Sequence, residues 1–125
     1  MREIHVGQIA DAVCRLVQEA NCRLEPDVIE ALERARAQEE APVGKSILNQ
    51  LVENYMIAET ERVPMCQDTG AALVFLEIGQ DVHLTGGSLT EAVNAGVARG
   101  YEEGYLRKSM LDDPIRRTNT RNNTP

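Results

Sequence analysis

A helix whose small residues recur every fourth position constrains this chain more than any other feature. Ser88-Leu-Thr-Glu91 is a capping-box pattern, in which the Ser88 hydroxyl and the Glu91 side chain satisfy orphan N–H groups at a helix start. Behind it come Ala92, Gly96, Gly100 and Gly104. Residues four apart share one face of a helix, and each interior glycine costs about 1 kcal/mol relative to alanine. The spacing therefore predicts a helix from Ser88 that presses its backbone closely onto another element. That is a structural use of glycine, not a chemical one.

The apolar pattern supplies the rest of the plan. Ile9, Val13, Leu16, Val17 and Ala20 fall at helical spacing within residues 4–20. Pro26 suits the first turn of a second helix with Asp27 beside it, and Val28, Leu32 and Ala35 would form its buried face. A break around Gln38 to Gly44 precedes a third helix, where Ile47, Leu48, Leu51, Val52, Tyr55 and Met56 make a wide, core-facing stripe. Beyond Pro64 the texture changes. Residues 72–78, Ala-Leu-Val-Phe-Leu-Glu-Ile, read as a buried strand, and Val82 to Leu84 as a short second one. Residues from Lys108 onward are turn-rich and irregular.

With one Phe and no Trp, the core must be built from aliphatic side chains and Met. No apolar run is long enough to span a bilayer, and the N-terminus shows no signal-peptide pattern, so a cytoplasmic location is expected. Three cysteines, an odd number, make no disulfide framework. Residues 1–104 hold 8 Lys/Arg against 18 Asp/Glu, an acidic body unsuited to nucleic acid. Residues 105–125 reverse the sign through Arg107, Lys108, Arg116, Arg117 and Arg121. Such an end suits a small anion or an acidic partner, or is simply a solvated tail.

One stretch resists explanation by packing. Pro64-Met-Cys66-Gln67-Asp68-Thr-Gly70 places a thiol, an amide, a carboxylate and a hydroxyl in consecutive positions of a loop between helix and strand. Cys66 is a soft-metal ligand or a nucleophile by residue type, and Asp68 a hydrogen-bonding or proton-handling group. A packed cysteine beside an Asx turn is the structural alternative. His5 and His83 form no recognisable arrangement with it; His5 is expected in a frayed first turn, and His83 facing solvent or a neighbouring chain. Cys14 and Cys22, eight residues apart on one helix, would be separated by about 12 Å, too far for one compact cluster. Cys14 reads as a small core hydrophobe and Cys22 as a loop or helix-end residue. Val43-Gly44-Lys45-Ser46 fails as a phosphate loop, because Glu39 stands where that pattern requires glycine.

Arg62-Val-Pro-Met-Cys-Gln-Asp-Thr-Gly70, the apolar run behind it, the glycine-rich turn, the helix ending near Tyr105 and Leu106-Arg107-Lys-Ser109 resemble, in order and spacing, the class I fumarases and the alpha subunit of L-tartrate dehydratase. The resemblance covers essentially the whole chain. It implies a hydro-lyase that reversibly dehydrates a C4 hydroxy-dicarboxylate with a [4Fe–4S] cluster as Lewis acid. It further implies Cys66 as a cluster ligand, Gln67 and Asp68 as substrate contacts with Asp68 also catalytic, and Arg107 as a carboxylate clamp. The family's other cluster cysteines come later in its chain, and its base and further cations come from a beta subunit or C-terminal domain. An oligomeric assembly with that partner is expected, and this chain alone should be inactive.

The expected fold class is α+β: a helical N-terminal half, then a small sheet edge and a packed helix. Residues 1–62 should be helical, 63–107 should hold the motif loop, strands and helix, and 108–125 should be irregular. This would be the N-terminal part of the family's alpha-type catalytic domain, cut short. The competing classes are a non-catalytic helical binding module or decayed fragment with a merely structural Cys66, and a thiol enzyme using Cys66 as nucleophile. A downstream reading frame carrying two more cysteines would favour the hydro-lyase.

Overall fold

The computed structural model describes residues 2–65 and 70–125. Six elements follow one another there: β1 (Arg2–His5), α1 (Val6–Cys22), α2 (Pro26–Gln38), α3 (Pro42–Glu61), β2 (Val82–Thr85) and α4 (Leu89–Glu103). The class is α+β, as expected. The chain divides into two compact units, Met1–Gln18 with Asp68–Pro125, and Glu19–Gln67.

In the first unit β1 and β2 pair in parallel, from Arg2 opposite Val82 to His5 opposite Thr85. Helix α4 begins at the expected N-cap, with the Ser88 hydroxyl accepting from the Glu91 N–H at 3.4 Å. Its glycines then meet α1. A methyl group on Gly96 would lie 2.6 Å from the Ala10 carbonyl oxygen and 2.8 Å from Val13 Cβ. On Gly100 it would meet the Val17 side chain and the Cys14 carbonyl oxygen. The predicted close packing is therefore present, and its partner is α1. Val13 and Val17 of α1 join Val97, Tyr101 and Leu106 in one buried cluster. Arg99 ties the same two helices at their edge, 2.5 Å from Asp11.

Two expectations for this unit need correction. Residues 2–5 are not the start of the first helix but a strand, so His5 lies in β1 and its Nδ1 accepts from the Gly7 N–H at 3.0 Å. His83, on β2, is exposed as expected. Residues 72–78 form no strand: Leu73 and Phe75 are 81% and 92% exposed, while Ala72 and Val74 pack against the cluster. The alternation of a strand survives in those exposures. What is missing among the described residues is a neighbouring strand to complete its hydrogen-bond ladder, since β2 pairs with β1 instead.

In the second unit α2 and α3 pack against one another. Pro26 and Pro42 each open a helix, where a missing N–H costs nothing. The expected buried faces are mostly exposed. Helix α2 has no buried residue, and of the α3 stripe only Val52 is buried, with Ile47 and Met56 more than half exposed and Leu51 47% exposed. Amphipathic spacing marks a face that needs a partner without guaranteeing that this chain supplies one.

Candidate functional site

Arg107 is launched from a firmly built helix end. Gly104 caps α4, and Tyr105 follows in the left-handed region with φ 52°. The Leu106 N–H then reaches back to the Tyr101 carbonyl at 3.0 Å, and the Leu106 side chain is buried. This six-to-one closure with an apolar residue behind it is a Schellman-type cap. Arg107 comes next and is exposed. Lys108 is engaged differently, its ammonium paired with Glu102.

The segment beyond Arg107 is irregular yet closely tied. Leu111 bridges Asn119 in antiparallel sense, the Thr120 N–H donates to the Met110 carbonyl at 3.1 Å, and Asn119 Nδ2 donates to the Lys108 carbonyl at 2.8 Å. At its centre Asn123 is 1% exposed. Asn123 Oδ1 accepts from the N–H groups of Ser109 at 2.8 Å and Met110 at 2.9 Å. Its Nδ2 donates to the Gly70 carbonyl at 2.8 Å, and the buried Tyr101 hydroxyl donates to that same oxygen at 3.3 Å. Gly70 itself has φ +51°, and space is open around its missing side chain, so backbone geometry and not crowding calls for glycine.

Cys66, Gln67 and Asp68, predicted as site residues, lie outside the described residues. Arg107 is described, and the structure ties the chain just after it to Gly70, the last residue of the motif stretch. Sequence reasoning missed Asn123 and Tyr101. The only signal was the run of turn-forming residues at Asn122-Asn-Thr-Pro125, which does not distinguish a buried Asn from a solvated one.

Cys66 lies outside the described residues, which by themselves supply no iron–sulfur ligand set. They contain no group of three or more His, Cys, Asp or Glu side chains able to hold a metal. Cys14 and Cys22 both lie on the unbroken helix α1. Cys14 is 3% exposed and its Sγ donates to Glu103 Oε2 at 3.4 Å, the packed role expected of it. Cys22 lines a cleft of about 260 Å³ with Glu19, Arg23, Glu59 and Arg62. Burial pushes its thiol above the ordinary value, and the Arg62 charge partly opposes that. A larger cleft of about 410 Å³ along α3, lined by Val52, Met56 and Ile57, holds none of the predicted site residues.

The motif stretch, the glycine-packed helix and the capped launch of Arg107 lie within a region that the sequence model for "Fumarate hydratase (Fumerase)" matches, residues 10–125. The chain belongs to the fumarate hydratase family. Among curated proteins it is 38% identical over 117 residues to a Methanocaldococcus jannaschii protein named "Putative L(+)-tartrate dehydratase subunit alpha", which covers 93% of this chain and 41% of that one. It is 25% identical over 107 residues to the L(+)-tartrate dehydratase subunit alpha of Escherichia coli K12, covering 86% of this chain and 35% of that one. The chain thus spans about two-fifths or less of the length of these relatives. No helix among the described residues is long and apolar enough to cross a membrane.

Proposed function

We propose that this chain is part of the alpha component of a cytoplasmic hydro-lyase that reversibly dehydrates a C4 hydroxy-dicarboxylate. The observation that carries the reading is the family match across residues 10–125, which takes in both Cys66-Gln-Asp-Thr-Gly70 and Leu106-Arg107-Lys-Ser109. Cys66 would be one ligand of a [4Fe–4S] cluster whose other ligands lie outside this chain, and the cluster would supply the Lewis acid. Gln67 and Asp68 would contact substrate, with Asp68 also handling a proton. Arg107 would clamp a carboxylate, a task suited to a planar guanidinium held on a capped helix end. The relatives' designation as alpha subunits supports a beta-type partner, as a second chain or a further domain. The test is turnover of malate and of L-tartrate by the anaerobically reconstituted assembly of this chain with that partner. Turnover of one or both supports the reading, and turnover of neither counts against it.

A second reading, a helical module that binds a partner without catalysis, is favoured by one observation. The α2 and α3 pair leaves Val43 72%, Ile47 53% and Met56 55% exposed. That reading predicts an assembly that forms and turns over neither substrate.

A further inference from the structure

We infer that Asn123 is a positioning residue, whose buried amide locks the exit of the Cys66–Gly70 stretch to the segment that follows Arg107. The inference rests on the site proposed above and assigns a role to a residue outside its motif. Three hydrogen bonds converge on one side chain, and their chemistry fixes its orientation. Two N–H donors face Oδ1 and one carbonyl faces Nδ2, so only one arrangement of the amide satisfies all three. Buried polar groups are expensive to leave unpaired, so the side chain holds both neighbours in register. The backbone suits the same residue. Asn123 has φ 59°, a left-handed conformation that asparagine adopts more readily than most side chains.

Tyr101 acts alongside it. Its hydroxyl reaches the same Gly70 carbonyl from α4, and Tyr101 also belongs to the buried cluster that contains Leu106. Gly70 is therefore tied to the helix end that launches Arg107 and, through Asn123, to Ser109 and Met110 just past it. Lys108 and Met110 have their own bonds to Asn119 and Thr120. Weakening the Asn123 bond to Gly70 should thus leave the local fold standing and release chiefly the motif exit.

Asn123→Asp separates the two halves of the lock. It keeps an acceptor for Ser109 and Met110 and replaces the donor to Gly70 with a carboxylate oxygen. Tyr101→Phe removes the second donor and keeps the ring in the core. Alkylation of each cysteine in the full chain, mapped by mass spectrometry, reads the effect at Cys66. In Asn123→Asp the Cys66 rate should rise by at least about threefold, the effect of losing one hydrogen bond. It should rise less in Tyr101→Phe, with Cys14 and Cys22 unchanged. A Cys66 rate within twofold of the parent in both folded variants, by the same measure, would overturn the proposal. If Asn123→Asp loses its circular-dichroism signature of folding, Tyr101→Phe decides alone. In the assembled enzyme Asn123→Asp should lower kcat on the order of tenfold with KM little changed. An inactive parent assembly would sink the hydro-lyase reading, while the alkylation result would still judge the lock.

Discussion

A methyl group built on Gly100 of α4 would lie 2.8 Å from the carbonyl oxygen of Cys14 on α1. A carbon atom cannot approach backbone oxygen that closely, and the carbonyl belongs to a helix that cannot yield locally. Gly100→Ala should therefore destabilise the fold despite the better helix propensity of alanine, worth about 1 kcal/mol. Overpacking of this kind costs about 1–3 kcal/mol and more where backbone must move, so a net loss of about 1–2 kcal/mol is expected. Gly96→Ala, facing the Ala10 carbonyl oxygen at 2.6 Å, should behave alike. Gly104→Ala should be the mildest of the three, because on α1 its methyl meets only the flexible Gln18 side chain and its one backbone conflict is the Gly100 carbonyl oxygen at 2.9 Å. Urea denaturation of the three variants tests that order, and a Gly100→Ala protein more stable than its parent would contradict it.

Tyr105 presents the opposite case. It adopts φ 52° and is 92% exposed, so its ring contributes little packing while its backbone sits in the left-handed region. That conformation costs a residue with a Cβ about 1–2 kcal/mol. Glycine avoids the penalty but gives up about 0.5–1 kcal/mol through the freedom it gains when unfolded. Tyr105→Gly should raise stability by up to about 1 kcal/mol, seen as a higher Tm. A clear drop in Tm would mean that the Tyr105 ring covers something in the assembled protein.

These features of α4 were legible in the sequence because they are local: a cap and its box are three residues apart, and the glycines repeat with the helix. Elements whose definition is non-local were legible only in part: the short strand from Val82 was read, but the strand it pairs with was not. β1 exists because Arg2 pairs with Val82, and no window around Arg2 contains that information. Phe75 and Leu73 have the propensity of a strand, yet propensity does not provide a ladder partner. The α3 stripe showed which face seeks burial, and the structure leaves Ile47 and Met56 exposed. At the site, Arg107 was named by resemblance, and the close packing of the helix before it was anticipated from the glycines. Asn123 was invisible, because burial of a polar side chain follows from tertiary hydrogen bonds and leaves no apolar pattern.

The thiol of Cys22 should be slow to alkylate. Burial raises its pKa above that of an ordinary cysteine, so at pH 8 its thiolate fraction is the smaller. The rate should climb with pH through an inflection higher than that of an ordinary thiol. Arg62 lowers the pKa, so Arg62→Gln moves the inflection upward and slows the reaction at pH 8. The change should be at most about fivefold, as befits a charge interaction worth about 0–1 kcal/mol near solvent. Faster alkylation in Arg62→Gln would show that Arg62 shields the thiol sterically instead.

Iron–sulfide reconstitution of this chain by itself should leave it nearly colourless. The described residues contain no metal-binding group, and Cys14 is committed to the packing of α1 against α4. A stoichiometric cluster that persists in Cys66→Ala and vanishes in Cys14→Ala would require the two helices to part and would refute the placement of Cys14 as a core residue.

In the assembled enzyme, Arg107→Lys should impair the reaction strongly although charge is retained. The Schellman-type cap, with Leu106 buried and its N–H bonded to Tyr101, fixes the backbone from which Arg107 departs. From such a support a guanidinium offers a carboxylate two parallel donors in one plane, whereas an ammonium offers a mobile point charge. Losing one charge-assisted hydrogen bond costs about 1.5–3 kcal/mol, or about one to two decades in kcat/KM. If Arg107 were only a surface residue, its ion pairs would contribute about 0–1 kcal/mol and the substitution would change little. Lys108→Ala provides the comparison, because Lys108 is occupied by Glu102 and should matter less to turnover. Steady-state kinetics of the two variants, with cluster content checked by absorbance, separates the cases. An Arg107→Lys enzyme with near-normal kcat/KM and a full cluster would end the clamp assignment.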